Sequence, residues 1–229
     1  PTRRISGVPS GSHAKLPWFA STTAFSLASV VRTSSISFAL SEPVYPASEK
    51  LRVVTTVSPI TNLVKNVGGD HIILNGIVPG GTNSHTFEPS PSDVKYLAEA
   101  DLLIYNGLHL EIPTEKLAHA NKKKGSVFVK LGDQTITKKK WQFDFSFPES
   151  EGNPNPHLWL NVAHAMKYVE LIRDALVSRD PGNKAEYERR TSSFLKRLEQ
   201  LDQAILLTLA TIPEKNRKLV TYHDSWAYF

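Results

Sequence analysis

The chain has 229 residues, 40% of them apolar, with 27 Lys+Arg against 22 Asp+Glu and no Cys. That length holds one large domain or two modest ones, and the missing thiols exclude a disulfide scaffold, a Cys-ligated zinc or iron–sulfur site and a cysteine nucleophile. Of the net charge of +5, +3 falls before residue 43, so the remainder has an ordinary balance of charges and no nucleic-acid partner is expected.

Residues 1–48 differ in kind from the rest. No acidic residue precedes Glu42, Ser and Thr are abundant, and a moderately apolar stretch from Leu16 to Val31 follows Arg3, Arg4 and Lys15. It is too short and hydroxyl-rich for a membrane span and reads as an export signal, with Ala39-Leu40-Ser41 as a small-x-small cleavage site. Arg32 and the Arg/Ser-rich composition also suit an organelle transit leader. A soluble exported protein is expected, because the chain as given carries no Cys for lipid attachment.

From Leu51 the chain becomes periodic. Leu51 to Val57 is a β-rich run, and Ser58-Pro59 opens a helix whose apolar positions are Ile60, Leu63, Val64 and Val67. A second strand over 72–78 precedes a loop, and a short helix is predicted from about Ser92 to Ala100. Leu102 to Tyr105 and Val127 to Val129 read as the third and fourth strands, with a helical stretch around Thr114 to Ala120 between them. Short apolar strands alternating with helices indicate an α/β fold with a parallel sheet covered on both faces. In such sheets ligands bind beyond the carboxyl ends of the strands.

Asn161 caps a predicted helix carrying Val162, Ala165, Met166, Val169, Ile172 and Leu176, and Asp180-Pro181-Gly182 breaks it. Asn183 and Glu186 make a capping-box-like start to a long helix with the stripe Tyr187, Thr191, Phe194, Leu198, Leu201, Ile205 and Leu209. Lys218 to Tyr222 then reads as another strand, which either joins the first sheet or begins a further lobe.

Three histidines stand on loops after predicted strands or before a helix. His85 lies in a Gly-rich polar loop, His157 follows Pro154 and Pro156, and His223 follows the last predicted strand. Their separations of 72 and 66 residues exclude a local two-His helix motif, so spacing alone does not assign them to one ion.

The wording around them is more specific. Pro79-Gly80 through His85 to Glu88-Pro89-Ser90, Ala100-Asp101-Leu102, Asn106-Gly107-Leu108-His109-Leu110-Glu111, Asn155-Pro156-His157-Leu158-Trp159 and Tyr222-His223-Asp224-Ser225-Trp226 occur in order. From about Leu51 onward the chain resembles the zinc/manganese-binding solute-binding proteins of metal ABC transporters, the TroA-like (cluster A-I) family. The resemblance implies two α/β lobes of parallel sheet flanked by helices, joined by one long backbone helix, with a metal held between them. Residues 49–182 would be the N-terminal lobe, 183–212 the connecting helix and 213–229 the start of a C-terminal lobe that is largely missing.

Carried over by residue, the resemblance makes His85, His157 and His223 metal ligands, with a fourth, a late carboxylate, having no counterpart before Phe229. A set of three nitrogens and one oxygen favours Zn²⁺, with Mn²⁺ also accepted. The implied partners are the divalent metal ion and a membrane permease with its separate ATPase; the protein is expected to be monomeric, periplasmic and not an enzyme. Two departures stand out: Asn155 replaces the family's usual Asp, and Lys clusters replace the His-rich acidic insertion of many zinc-specific members. An adhesin on the same fold and a zinc hydrolase using Glu88 or Asp224 as general base are the alternatives.

Overall fold

The computed structural model describes residues 49–229. The leader expected over 1–48 lies outside the described residues. Four short strands, β1 (Leu51–Thr55), β2 (Ile72–Gly76), β3 (Leu102–Tyr105) and β4 (Val127–Lys130), form one parallel sheet in the order β2-β1-β3-β4. The register pairs Val53 with Leu74 and Leu102, and Leu103 with Phe128.

Alternate residues of these strands feed two apolar layers, which is why the strands read as continuous apolar runs rather than as an alternation. Val53, Leu102, Ile104 and Val129 pack toward α1 (Ser58–Gly68), α5 (Val162–Arg179) and the first half of α6 (Lys184–Ala210). Val54, Leu103 and Tyr105 face the opposite way, with Leu97 of α2 (Pro91–Glu99) and Ala118 of α3 (Ile112–Asn121). A short helix α4 (Leu131–Thr135), which the periodicity did not mark, follows β4. Among the described residues no helix is long and apolar enough to cross a membrane.

The helix starts show what local chemistry decides. Asn161 caps α5 by accepting the His164 N–H at 3.1 Å, as its position predicts. The capping box expected at Asn183 and Glu186 is absent. A 3₁₀ turn over Pro181–Asn183 runs straight into α6, and Asp180 becomes the local acceptor, taking Asn183 Nδ2 at 2.7 Å and the Tyr187 hydroxyl at 2.6 Å. Glu186 instead pairs with Arg189. The capping box forms at α2, where Ser90 and Asp93 bond reciprocally.

The strand expected over 218–222 does not form. The segment is irregular, and Val220 and Tyr222 are fully exposed. A β-prone run becomes a strand only against a partner, and none of the four strands pairs with this one.

At the carboxyl end of β3 the backbone turns through three consecutive left-handed residues, Gly107, Leu108 and His109, with φ of 81°, 52° and 66°. Such a run is unfavourable for non-glycine residues and persists only when its surroundings hold it. Two carboxylates do so here. Glu111 accepts the N–H groups of Asn106 (2.8 Å) and Gly107 (3.1 Å), and Asp133 accepts that of Leu108 (3.0 Å).

The fully buried Asn106 amide connects this turn to the rest of the lobe. Its Nδ2 donates to the carbonyls of Pro156 (2.9 Å) and Gly107 (3.0 Å), and its Oδ1 accepts the Tyr168 hydroxyl of α5 at 2.9 Å. Replacing Tyr168 by Phe removes that donor and leaves a buried amide oxygen unpaired, a change that costs about 1–3 kcal/mol. Urea unfolding of Tyr168→Phe checks this; stability equal to wild type refutes the role given to the hydroxyl.

Candidate metal centre

His85 is carried by the loop between β2 and α2, its N–H held by Asn83 Oδ1 at 3.0 Å. His157, 5% exposed, ends an extended loop and leads into a 3₁₀ turn over Leu158–Leu160. His223 stands on the irregular segment after α6. Their ring nitrogens meet: His157 Nε2 lies 3.3 Å from His85 Nε2 and 3.1 Å from His223 Nε2, and the ligand atoms of all three fall within 4.8 Å of one another. An ion holding imidazoles tetrahedrally at about 2.0–2.1 Å separates their nitrogens by about 3.3 Å, so two of these spacings already suit such an ion.

Among the described residues, the other histidines stand apart from this cluster. His109 bonds Asn153 and sets its ring edge toward Trp141. His119 stacks on Phe128, His71 meets Tyr187 edge-on, and His164 meets Tyr228 edge-on.

The side chain at 155 organises the ring of His157. Asn155 Oδ1 accepts the backbone N–H of His157 at 3.0 Å and contacts its Nδ1 at 2.8 Å. Asn155 Nδ2 donates to the carbonyl of Asp224 at 2.8 Å and to Asp144 Oδ2 at 2.5 Å. A backbone N–H only donates and a carbonyl only accepts, so these two partners fix which end of the amide is oxygen. His157 Nδ1 must therefore carry the hydrogen, leaving the Nε2 lone pair facing the other two rings.

Sequence reading missed the cover of the site. Phe147 places its ring 5.5 Å from that of His85, 5.8 Å from that of His157 and 6.5 Å from that of His223. The loop carrying it is joined to the His223 segment through Ser146, whose N–H and hydroxyl donate to Asp224 Oδ2 at 3.1 and 2.7 Å. Phe143, Phe145 and Phe147 alternate in a loop without any helical or strand context, so nothing in the pattern singles out Phe147. Asp224 is thus turned to Ser146, and Glu88 is exposed on the loop before α2.

Desolvation is the leading influence on the charge of His157 and His85. Burial, followed by the neighbouring His85 and His223 rings, pushes the pKa of His157 down to about 3. Desolvation also lowers that of His85, with His223 adding to it. Neutral imidazole is the form that binds a cation.

The family model described as zinc-uptake complex component A, periplasmic (ZnuA), matches residues 53–229. The chain belongs to the ZnuA family. Among curated proteins it is 35% identical over 190 residues to the metal ABC transporter substrate-binding lipoprotein SsaB of Streptococcus sanguinis, covering 80% of this chain and 59% of that protein. It is 34% identical over 188 residues to the manganese ABC transporter substrate-binding lipoprotein PsaA of Streptococcus pneumoniae, with the same coverage. The chain therefore spans about three-fifths of the length of these relatives.

Among solved structures, Zn(II)-bound AdcA from Streptococcus pneumoniae superposes with a TM-score of 0.65 at 29% identity, covering 78% of this chain and 36% of that one. A Mn-bound periplasmic metal-binding protein from Candidatus Liberibacter asiaticus gives 0.69 at 27% identity, covering 78% and 64%. A Cd-bound form of the same protein gives 0.68. The family consists of substrate-binding proteins, not enzymes, and the hydrolase alternative falls with that assignment.

The lowered pKa of His157 has a consequence for the metal-free protein. The unfolded ring binds its proton near the ordinary 6.5 and the folded ring only near 3, so the unfolded state takes up the proton first as pH falls. Stability contributed by the neutral ring is complete above about pH 6.5 and declines toward pH 3. The stability advantage of the wild type over His157→Gln should therefore shrink steadily from pH 7 to pH 4 in urea unfolding. Parallel pH profiles for the two proteins would contradict the shift.

Proposed function

We propose that this ZnuA-family chain captures a divalent transition metal with His85, His157 and His223, zinc in preference to manganese, and that the protein hands it to an ABC transporter permease powered by a separate ATPase. The observation that carries the reading is the meeting of three Nε2 atoms from three distant loops. Three imidazoles, two of them (His85 and His157) pushed toward the neutral form by desolvation, make a donor set for a borderline ion such as Zn²⁺, and the Irving–Williams order ranks zinc above manganese at a nitrogen site. The relatives support the same chemistry, since their names and structures include zinc, manganese and cadmium.

Capture in this reading is a docking of the ion against preset nitrogens. His157 is the fixed member, buried and held by Asn155, while His85 and His223 approach from loops on either side. A fourth ligand and a second lobe would complete the cage in the whole protein. The family description and the lipoprotein names of the relatives support export beyond the cytoplasmic membrane. A monomeric, soluble periplasmic carrier is our reading for this chain.

Calorimetric titration tests the ligand set. One Zn²⁺ should bind per chain, more tightly than Mn²⁺ in direct competition. His85→Ala, His157→Ala and His223→Ala should each lower zinc affinity by more than about 100-fold, beyond the 10–100-fold typical of losing an outer hydrogen-bond partner. Retention of wild-type affinity by any one of the three removes that residue from the set.

A further inference from the structure

The neutral amide at position 155, where the family resemblance leads one to expect a carboxylate, does not leave His157 without a negative charge. It moves that charge one hydrogen bond outward. The chain of contacts runs from His157 Nδ1 to Asn155 Oδ1 (2.8 Å) and from Asn155 Nδ2 to Asp144 Oδ2 (2.5 Å). Asp144 is held by the Phe147 N–H on its other oxygen at 3.1 Å. Every link has a donor facing an acceptor. The same Nδ2 also donates to the Asp224 carbonyl, one residue after His223. One fully buried amide therefore touches the loop of His157, the loop that carries Phe147 and the segment that carries His223.

We infer that Asn155 and Asp144 form a matched positioning pair for His157, in which the amide must be at 155 and the carboxylate at 144, and that the pair also latches the His223 segment to the His157 loop. The inference deepens the proposed metal site and rests on that reading for its affinity test. Its physical basis is the count of donors. A carboxylate at 155 would still accept from His157, but its second oxygen would face the Asp144 carboxylate and the Asp224 carbonyl, three acceptors with no hydrogen among them. Charges and acceptors so opposed in a buried place are costly. Asn155→Asp is therefore disruptive here. Adding Asp144→Asn returns a donor to the contact between the two side chains, though not to the Asp224 carbonyl.

The test is a double-substitution cycle read in two ways on the full chain. In zinc titration, Asn155→Asp and Asp144→Asn should each weaken binding by about 10–100-fold, the usual effect of disturbing a ligand's hydrogen-bond partner. The combined variant should recover at least about tenfold over Asn155→Asp, a non-additivity expected only for side chains in contact. In the metal-free protein, long-range ¹H–¹⁵N correlation should show His157 solely as the Nδ1–H tautomer in the wild type. Asn155→Ala, which introduces no charge conflict, should give a mixture of tautomers.

Additive losses in the cycle, or Asn155→Asp binding zinc as tightly as the wild type, would overturn the pairing while leaving the three-histidine reading intact. If the wild type takes up no zinc, the ligand set fails and the tautomer experiment still decides the positioning role. A single Nδ1–H form surviving in Asn155→Ala refutes that role under either outcome.

Discussion

The placement of the candidate metal centre depends on one buried amide, Asn106. It stands at the carboxyl end of β3 with no exposure, and every polar atom it carries is engaged. The backbone N–H goes to Glu111, the carbonyl accepts from Gly132 at 2.7 Å, Oδ1 accepts from Tyr168 and Nδ2 donates to Pro156. Burying an amide is unfavourable unless its hydrogen bonds are replaced, so the four elements that supply partners are committed to one arrangement. Pro156 immediately precedes His157. The bond from Asn106 to its carbonyl thus transmits the position of a central strand to the most buried of the three histidines.

The same turn shows how charge is managed close to the centre. Burial raises the pKa of Glu111 to about 7, against the pull of the Thr56 hydroxyl and two backbone N–H donors. Burial drives His157 the opposite way. Both shifts have the same leading cause, the poor solvation of a net charge beneath these loops, and each favours the neutral form. Sign matters for stability: Glu111 contributes most where it is protonated and loses that contribution as pH rises from the ordinary 4.5 through about 7. Its slope therefore opposes that of His157 over their shared range, and the neutral carboxyl adds a hydrogen that the three donors around it do not need.

Much of the fold is legible in the sequence because its signals are local. The four strands are short apolar runs, the helices carry three-and-four spacings, and Asn161 announces the start of α5. What misleads are signals whose meaning depends on a distant partner. Lys218 to Tyr222 has strand composition but no edge to pair with, and Asn183 has the cap residue type but lies on a 3₁₀ turn that already supplies the helix with its preceding carbonyls. The stripe of α6 is real as periodicity, yet only Tyr187, Thr191 and Phe194 are buried by it, whereas Leu201 and Leu209 stay exposed. Periodicity identifies a face; it does not say what covers it. The histidines divide likewise. Residue type and loop position mark them as candidates, while Phe147 and Asp144, which shape their surroundings, lie in a loop whose composition carries no such mark.

In the proposed site the neutral ring of His157, beside Phe147, would present a cation with a nitrogen that needs little reorganisation, because Nδ1 is held by Asn155 and Nε2 faces the other two rings. The negative charge that would complement a bound cation is kept outside the ring cluster, on Asp144 and on Asp224, each tied by hydrogen bonds to the loop of Phe147. A carboxylate in direct contact with His157 would raise the basicity of the ring and its attraction for protons as well as metal ions. An intervening amide transmits orientation without the full charge, so proton competition at His157 stays weak across the neutral range while the ring geometry is preserved. In the proposed site the buried ring of His157 is the fixed member, with the loop-borne His85 and the exposed His223 set against it.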